Sequence, residues 1–218
     1  MDPSIRRWPN ANLIRNPFGE LTRRERAELA VVDLLPILDH LTEDGRDQWR
    51  PRTAYQVMGE CGRGKTTHMV ALTARFEDAV YVYLAENAPC PAIPAGSPLL
   101  IDEAQRLPRA VLRTLCRDGV TLILGTHRDL SRPLRRSGYD VITQRIGLTL
   151  SAVKLAKILN RRIDASRRDR GLPVPTLSVD VAERLIVRFG TDIRGIEGYL
   201  YDIVQSQVEH HGEMRFIG

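Results

Sequence analysis

Lysine is nearly absent from this chain. Of 32 basic residues only Lys65, Lys154 and Lys157 are lysines, so arginine carries almost all the positive charge. Cysteine is scarce as well. Cys61, Cys90 and Cys116 show neither the spacing of a metal site nor the even number of a disulfide framework, and a reduced, cytoplasmic setting is the expectation. No apolar run approaches the roughly 20 residues that cross a bilayer, so no membrane partner is expected. The opening stretch MDPSIRRWPNANLIRNPFGE lacks the apolar centre of a secretory signal.

What is present fits one α/β domain with a small appendage: 218 residues, 43% hydrophobic, net charge +5. The arginine excess has two readings. One is codon usage in a GC-rich genome. The other is guanidinium contact with phosphates or acidic partner surfaces, with RRSG (Arg135, Arg136) and RRIDASRRDR (Arg161 to Arg170) as the runs concerned.

Along the chain, Thr22 and Glu25 form a capping-box signature ahead of a helical pattern that Pro36 kinks or divides. AYQVM, AVYVYL, PLLIDEA, VTLILGTH and VITQRIGLTL read as five strands. TTHMVALTARF and LPRAVLRTLCRDG read as helices, the second opened by Pro108 and stopped by Gly119. RDLSRPLRRSGYD reads as a short helix or loop. Between the second and third strands AENAPCPAIPAGS, followed by Pro98, has room for one helical turn at most. After about residue 150 only helical patterns follow. The expected architecture is a parallel sheet flanked by helices, residues 1–149, and an all-helical lid, residues 150–218.

The stretch GECGRGKTT runs Gly59, Glu60, Cys61, Gly62, Arg63, Gly64, Lys65, Thr66, Thr67. It matches Gly-x4-Gly-Lys-Thr in full, between a predicted strand and a predicted helix. Its glycines let backbone amides curl around phosphate oxygens. The following helix presents its positive end, and Lys65 bridges the terminal phosphates. The Thr66 hydroxyl is a magnesium ligand in this pattern. PLLIDEAQ supplies the acidic partner. Asp102 is placed to hold magnesium through its water shell, and Glu103 to orient and deprotonate an attacking water. The chain has no Asn-Lys-x-Asp to read guanine, which argues against a GTPase. It has room for one sheet domain, where a DEAQ helicase needs two.

With these motifs the chain resembles the AAA+ ATPases from about Asn16 to His211. TLILGTH looks like the sensor-1 strand, with Thr126 as the matching residue and His127 as its substitute. FGTDIRGIEGYL looks like the start of the sensor-2 helix, whose Arg194 would reach the γ-phosphate. VITQRIGL looks like the segment carrying the arginine finger given to a neighbouring subunit. Arg145 is the match, with Arg132, Arg135 and Arg136 competing. IRNPFGEL resembles the lead-in segment beside the adenine, and serves equally as a core anchor. The short proline-rich link departs from the family, whose members usually carry a longer insertion there.

The resemblance implies an ATP- and magnesium-dependent hydrolase that assembles with itself as a ring or filament. LLIDEAQRL with a GTH sensor is closest to the DNA-transposition regulators and the secretion ATPases. A matchmaker on double-stranded DNA, working with a partner protein, is the leading expectation. A protein-assembly or secretion-related switch that never touches DNA is the alternative.

Overall fold

A computed structural model of the chain describes residues 8–32, 35–42, 49–60, 62–76, 78–211 and 213–215. The chain divides into two compact units. One comprises residues 32–148, and the other joins residues 1–31 to residues 149–218.

Unit 32–148 is built on five strands: β1 (Thr53–Met58), β2 (Val80–Tyr83), β3 (Leu99–Asp102), β4 (Leu122–Thr126) and β5 (Asp140–Arg145). They pair in the order β2-β3-β4-β1-β5, every pair parallel. The three inner strands β1, β3 and β4 are buried along their whole length, as expected for a parallel sheet covered on both faces. Side chains alternate between those faces. Tyr55, Val57, Leu100 and Ile123 pack with residues of α2 (Leu35–Leu41) and α3 (Lys65–Thr73). Ala54, Leu99, Ile101, Leu122 and Leu124 pack with residues of α4 (Arg109–Asp118) and α5 (Ser131–Arg136). The result is a three-layer α/β unit compatible with a P-loop-type fold. Truncating one of these buried aliphatic side chains to alanine typically costs about 2–5 kcal/mol.

Three local features differ from, or sharpen, the sequence expectation. β5 ends at Arg145 rather than continuing towards residue 150, because Gly147 has φ 74 and takes the chain out of extended conformation. The helical pattern after Thr22 is split into α1 (Arg23–Glu28) and α2, and Pro36 falls in the first turn of α2, where a missing N–H costs nothing. The link from β2 to β3 contains no helix. Thr22 and Glu25 do form the capping box, and Gly119 ends α4 with φ 71.

The second unit contains α1, α6 (Ala152–Ala165), α7 (Val179–Phe189) and α8 (Ile193–His211). Ser151 and Ser178 cap α6 and α7, their hydroxyls accepting from Lys154 N and Val181 N. Its core joins Leu155, Leu159, Ile163, Leu185, Ile196, Leu200 and Val204 to Leu13 and Phe18 from the N-terminal segment. That segment is also tied down by polar bonds. Asn12 Nδ2 donates to the carbonyls of Asp169 and Leu172, both at 3.0 Å, and Arg162 Nε donates to Pro17 O at 3.0 Å. The IRNPFGEL segment is therefore a core anchor of the helical unit. The N-terminal residues group with the C-terminal helices, where the sequence expectation put them with the sheet. No helix among the described residues is long and apolar enough to cross a membrane.

Candidate functional site

β1 runs straight into Gly59 and the loop ends in α3, so the glycine-rich turn lies at the carboxyl edge of the sheet, where α/β sheets bind ligands. Gly64 is the N-cap of α3 with φ 91, a conformation open to glycine, and it offers no side-chain cap. α3 thus begins without the side-chain acceptor that Thr22, Ser151 and Ser178 supply elsewhere. Helix starts leave amides without intrahelical acceptors, a standing attraction for anions. Gly59 is sterically required. A Cβ there would stand 2.9 Å from Ile146 O. Gly62 has φ 79, and Arg63 lies beside Glu60, Nη2 to carboxylate 3.8 Å. Thr67 follows within the first turn of α3. Cys61 lies outside the described residues.

Lys65 is 5% exposed, and its ammonium donates to Gly59 O and Glu60 O, both at 2.9 Å. It is folded back over its own loop.

Asp102 ends β3 fully buried. Its Oδ2 accepts from the Thr66 hydroxyl at 2.8 Å and from the Tyr81 hydroxyl at 3.1 Å, and its Oδ1 accepts from Glu103 N at 3.0 Å. The sheet makes this meeting possible, because β3 and β1 flank β4 and both end at the same edge. Gly125 on β4 leaves the room. A Cβ there would lie 2.6 Å from Asp102 Oδ1. The donor set of one hydroxyl and one carboxylate, both hard oxygens, suits magnesium, which takes few protein ligands and completes its shell with water and phosphate. Among the described residues no cluster of three or more His, Cys, Asp or Glu offers a protein-only metal cage.

Glu103 has φ 60, a left-handed backbone that is uncommon for a non-glycine residue and is found at functional sites. Its carboxylate accepts from Gln105 Nε2 at 2.6 Å, lies 3.3 Å from His127 Nε2, and lies 3.6 Å from an Arg106 guanidinium nitrogen. Arg106 also donates to Leu84 O at 2.8 Å. The same His127 Nε2 is 3.2 Å from Lys65 Nζ. It therefore accepts from the lysine or donates to the glutamate, according to its proton. Thr126, the matching sensor residue, bonds within its own turn. It is fully buried, and its hydroxyl donates to Arg128 O at 2.8 Å and accepts from Arg128 N at 3.1 Å, closing the turn after β4. The side chain at the junction of lysine and glutamate is His127.

Arg145 is exposed at the end of edge strand β5, in register with Met58 just before the glycine loop. Its competitors Arg132, Arg135 and Arg136 are all exposed on α5, and Arg135 also donates to Val141 O at 3.1 Å. Arg194 lies in the first turn of α8, in the helical unit.

Two residues of this region carry signals that motif reading passes over. Gln56 is fully buried in β1; its Nε2 donates to Thr143 Oγ1 at 2.8 Å and Asp129 Oδ1 at 3.3 Å, and its Oε1 accepts from Leu130 N at 2.7 Å. It holds the turn that carries His127. Bonds from the Ser131 hydroxyl and amide, then from Gln56, keep the Asp129 carboxyl below its ordinary range. A polar residue inside an apolar strand was the available sign of Gln56, and a glycine inside one was the sign of Gly125. No protein-family model matches the chain, and no curated protein matches it.

Proposed function

We propose that the chain is a P-loop ATPase of the AAA+ type, binding and hydrolysing Mg-ATP as a switch on its own assembly, in association with double-stranded DNA and a partner protein. The observation that carries this reading is the 2.8 Å bond between Thr66 of the glycine loop and the buried Asp102 of β3. An ordinary glycine turn has no reason to place a helix-start threonine on a fully buried carboxylate two strands away. Hydroxyl and carboxylate together form the hard-oxygen half of a magnesium site beside a phosphate cradle.

In this reading the loop amides and Lys65 take the phosphates, and Thr66 and Asp102 take magnesium. Bound Mg-ATP supplies an activated phosphoanhydride bond. Glu103 leaves its bonds to Gln105 and Arg106 to accept a proton from water. His127 sits between base and lysine and acts as the polar sensor, with Thr126 as its backbone support. A neighbour's Arg145 contributes charge at the γ-phosphate.

The deciding experiment is a direct ATP titration, with and without magnesium, of the wild-type chain and Lys65→Ala. Magnesium-dependent binding that disappears in the variant is the expected result. Equal affinity in both would overturn the assignment of the loop.

A further inference from the structure

The helical unit is the more basic of the two, with 17 basic against 13 acidic residues, whereas the sheet unit has 15 against 14. Part of this charge surrounds an open cleft of about 470 Å³, lined by Leu29, Lys157, Asn160, Arg161, Asp164 and Arg170 along with Ala165. The cleft lies wholly within that unit. Its one acid, Asp164, is paired with Arg167, carboxylate to guanidinium 3.1 Å. Lys157 and Arg170 are exposed, and neither forms an ion pair with an acid among the described residues. Arg161 donates to Ala30 O at 2.7 Å and Glu28 O at 3.2 Å, which fixes its guanidinium at the wall and leaves further N–H groups to donate. Asn160 Nδ2 donates to Leu177 O at 2.9 Å and its Oδ1 accepts from Leu177 N at 2.8 Å, which holds its side chain in place.

The cation row extends beyond the cleft. Lys154 lies one turn before Lys157 on the exposed side of α6. It occupies the first turn of that helix, which has no acidic residue, although a cation there is opposed by the helix dipole. Helix stability does not account for a lysine at that place, whereas a polyanion does. All but one of the chain's lysines lie on these two turns of α6.

We infer that this cleft and the adjoining turn of α6 bind the phosphodiester backbone of duplex DNA, with Lys154, Lys157, Arg161 and Arg170 as the phosphate contacts. The inference rests on the DNA-associated reading above and gives it a surface, apart from the nucleotide loop. An open, shallow cleft continued by a line of cations suits a chain of regularly spaced phosphates, where a small anion would be held by convergent donors. Phosphate contacts of this kind position a duplex and carry no sequence information, so binding is expected to be independent of sequence.

Fluorescence anisotropy of a labelled duplex, across a salt series, tests this. Each phosphate contact contributes about 0.9 to the slope of log affinity against log salt. The double variant Lys157→Gln/Arg170→Gln is therefore expected to bind more weakly and with a slope flatter by about 2. Arg161 is left intact because it also holds Ala30 and Glu28. The control Arg109→Gln/Arg113→Gln removes the same charge from exposed positions of α4 and should leave the slope near the wild-type value. Equal flattening in both variants, or no duplex binding by the wild type, overturns the inference. So does displacement of the duplex by tripolyphosphate at matched phosphate concentration, since the cleft would then take a small anion. The ATP titration of Lys65→Ala reports separately on the nucleotide loop, so either reading can fail alone.

Discussion

Gly125 and Asp102 are packed so closely that a single added carbon at Gly125 would lie 2.6 Å from the carboxylate. Met69 of α3 closes the other side, 3.3 Å from the same point. Gly125→Ala must therefore move Asp102, and Asp102 holds Thr66. Overpacking of this kind costs about 1–3 kcal/mol, so the variant is expected to fold with a lowered melting temperature. Its more specific signature is a loss of magnesium dependence in nucleotide binding. A thermal melt together with a magnesium titration reads both. Unchanged magnesium affinity would mean that Asp102 has no part in the metal site.

Glu103→Gln keeps the shape of the side chain and removes the base. Binding of ATP should persist while phosphate release falls by about 10²–10⁴-fold, the usual worth of a general base. Turnover at the wild-type rate would remove Glu103 from the mechanism.

Thr126 and His127 can be told apart. Thr126→Val strips the turn of its bonds to Arg128 and should cost about 1–3 kcal/mol of stability, with turnover per folded molecule little changed. His127→Ala should leave stability nearly intact and lower turnover. Parallel melts and phosphate-release assays separate the two effects. The opposite pattern would restore Thr126 as the sensor.

The strands and most helices were legible because they are short apolar or periodic runs, several of them bounded by proline, glycine or a capping serine. The glycine loop was legible as a strand–turn–helix junction because its pattern is local, confined to eight consecutive residues. The direction of Thr126 was not, since a threonine at a strand end serves a sensor or a turn equally well. The grouping of the N-terminal segment was also hidden. It depends on Asn12 meeting Asp169 and on Arg162 meeting Pro17, contacts separated by about 150 residues. No local pattern announces such partners. The shortened β5 turned on one glycine, Gly147, whose backbone passes against Arg63 of the glycine loop.

Tyr139 gives a pH-dependent prediction. Its hydroxyl is buried and donates to Val120 O at 2.8 Å, and burial pushes its pKa up to about 12. An unfolded tyrosine titrates near about 10. The folded form therefore favours the neutral phenol, and its contribution is fully present below about pH 10. It is lost as pH rises from about 10 to about 12. Chemical denaturation across that window should show stability falling in the wild type. In Tyr139→Phe, part of that fall should vanish, because no phenol remains to ionise. Identical alkaline profiles would show that Tyr139 is not the group responsible.

The last prediction concerns whether the ATP site is complete in one chain. Arg145 stands exposed at the edge of the sheet, on the far side of β1 from the strands that carry Asp102 and Thr126. A residue so placed is available to another copy. If it completes a neighbour's site, activity per molecule should rise with protein concentration. Arg145→Ala should bind ATP normally and lose about 10³-fold or more in hydrolysis, the usual effect of removing an arginine finger. Lys65→Ala should be inactive for the opposite reason, having an intact finger and a damaged loop. Mixing the two should restore activity, because each intact loop of an Arg145→Ala chain can then face an intact Arg145. Arg132→Ala, Arg135→Ala and Arg136→Ala, mixed in the same way, decide between Arg145 and the exposed arginines of α5. Phosphate release is measured for each variant alone and in mixtures across a dilution series. Absence of rescue by every pair, with a wild-type rate strictly proportional to concentration, would mean a self-contained site. The assembly half of the proposed function would then fall, and magnesium-dependent ATP binding would stand on the Thr66–Asp102 geometry alone.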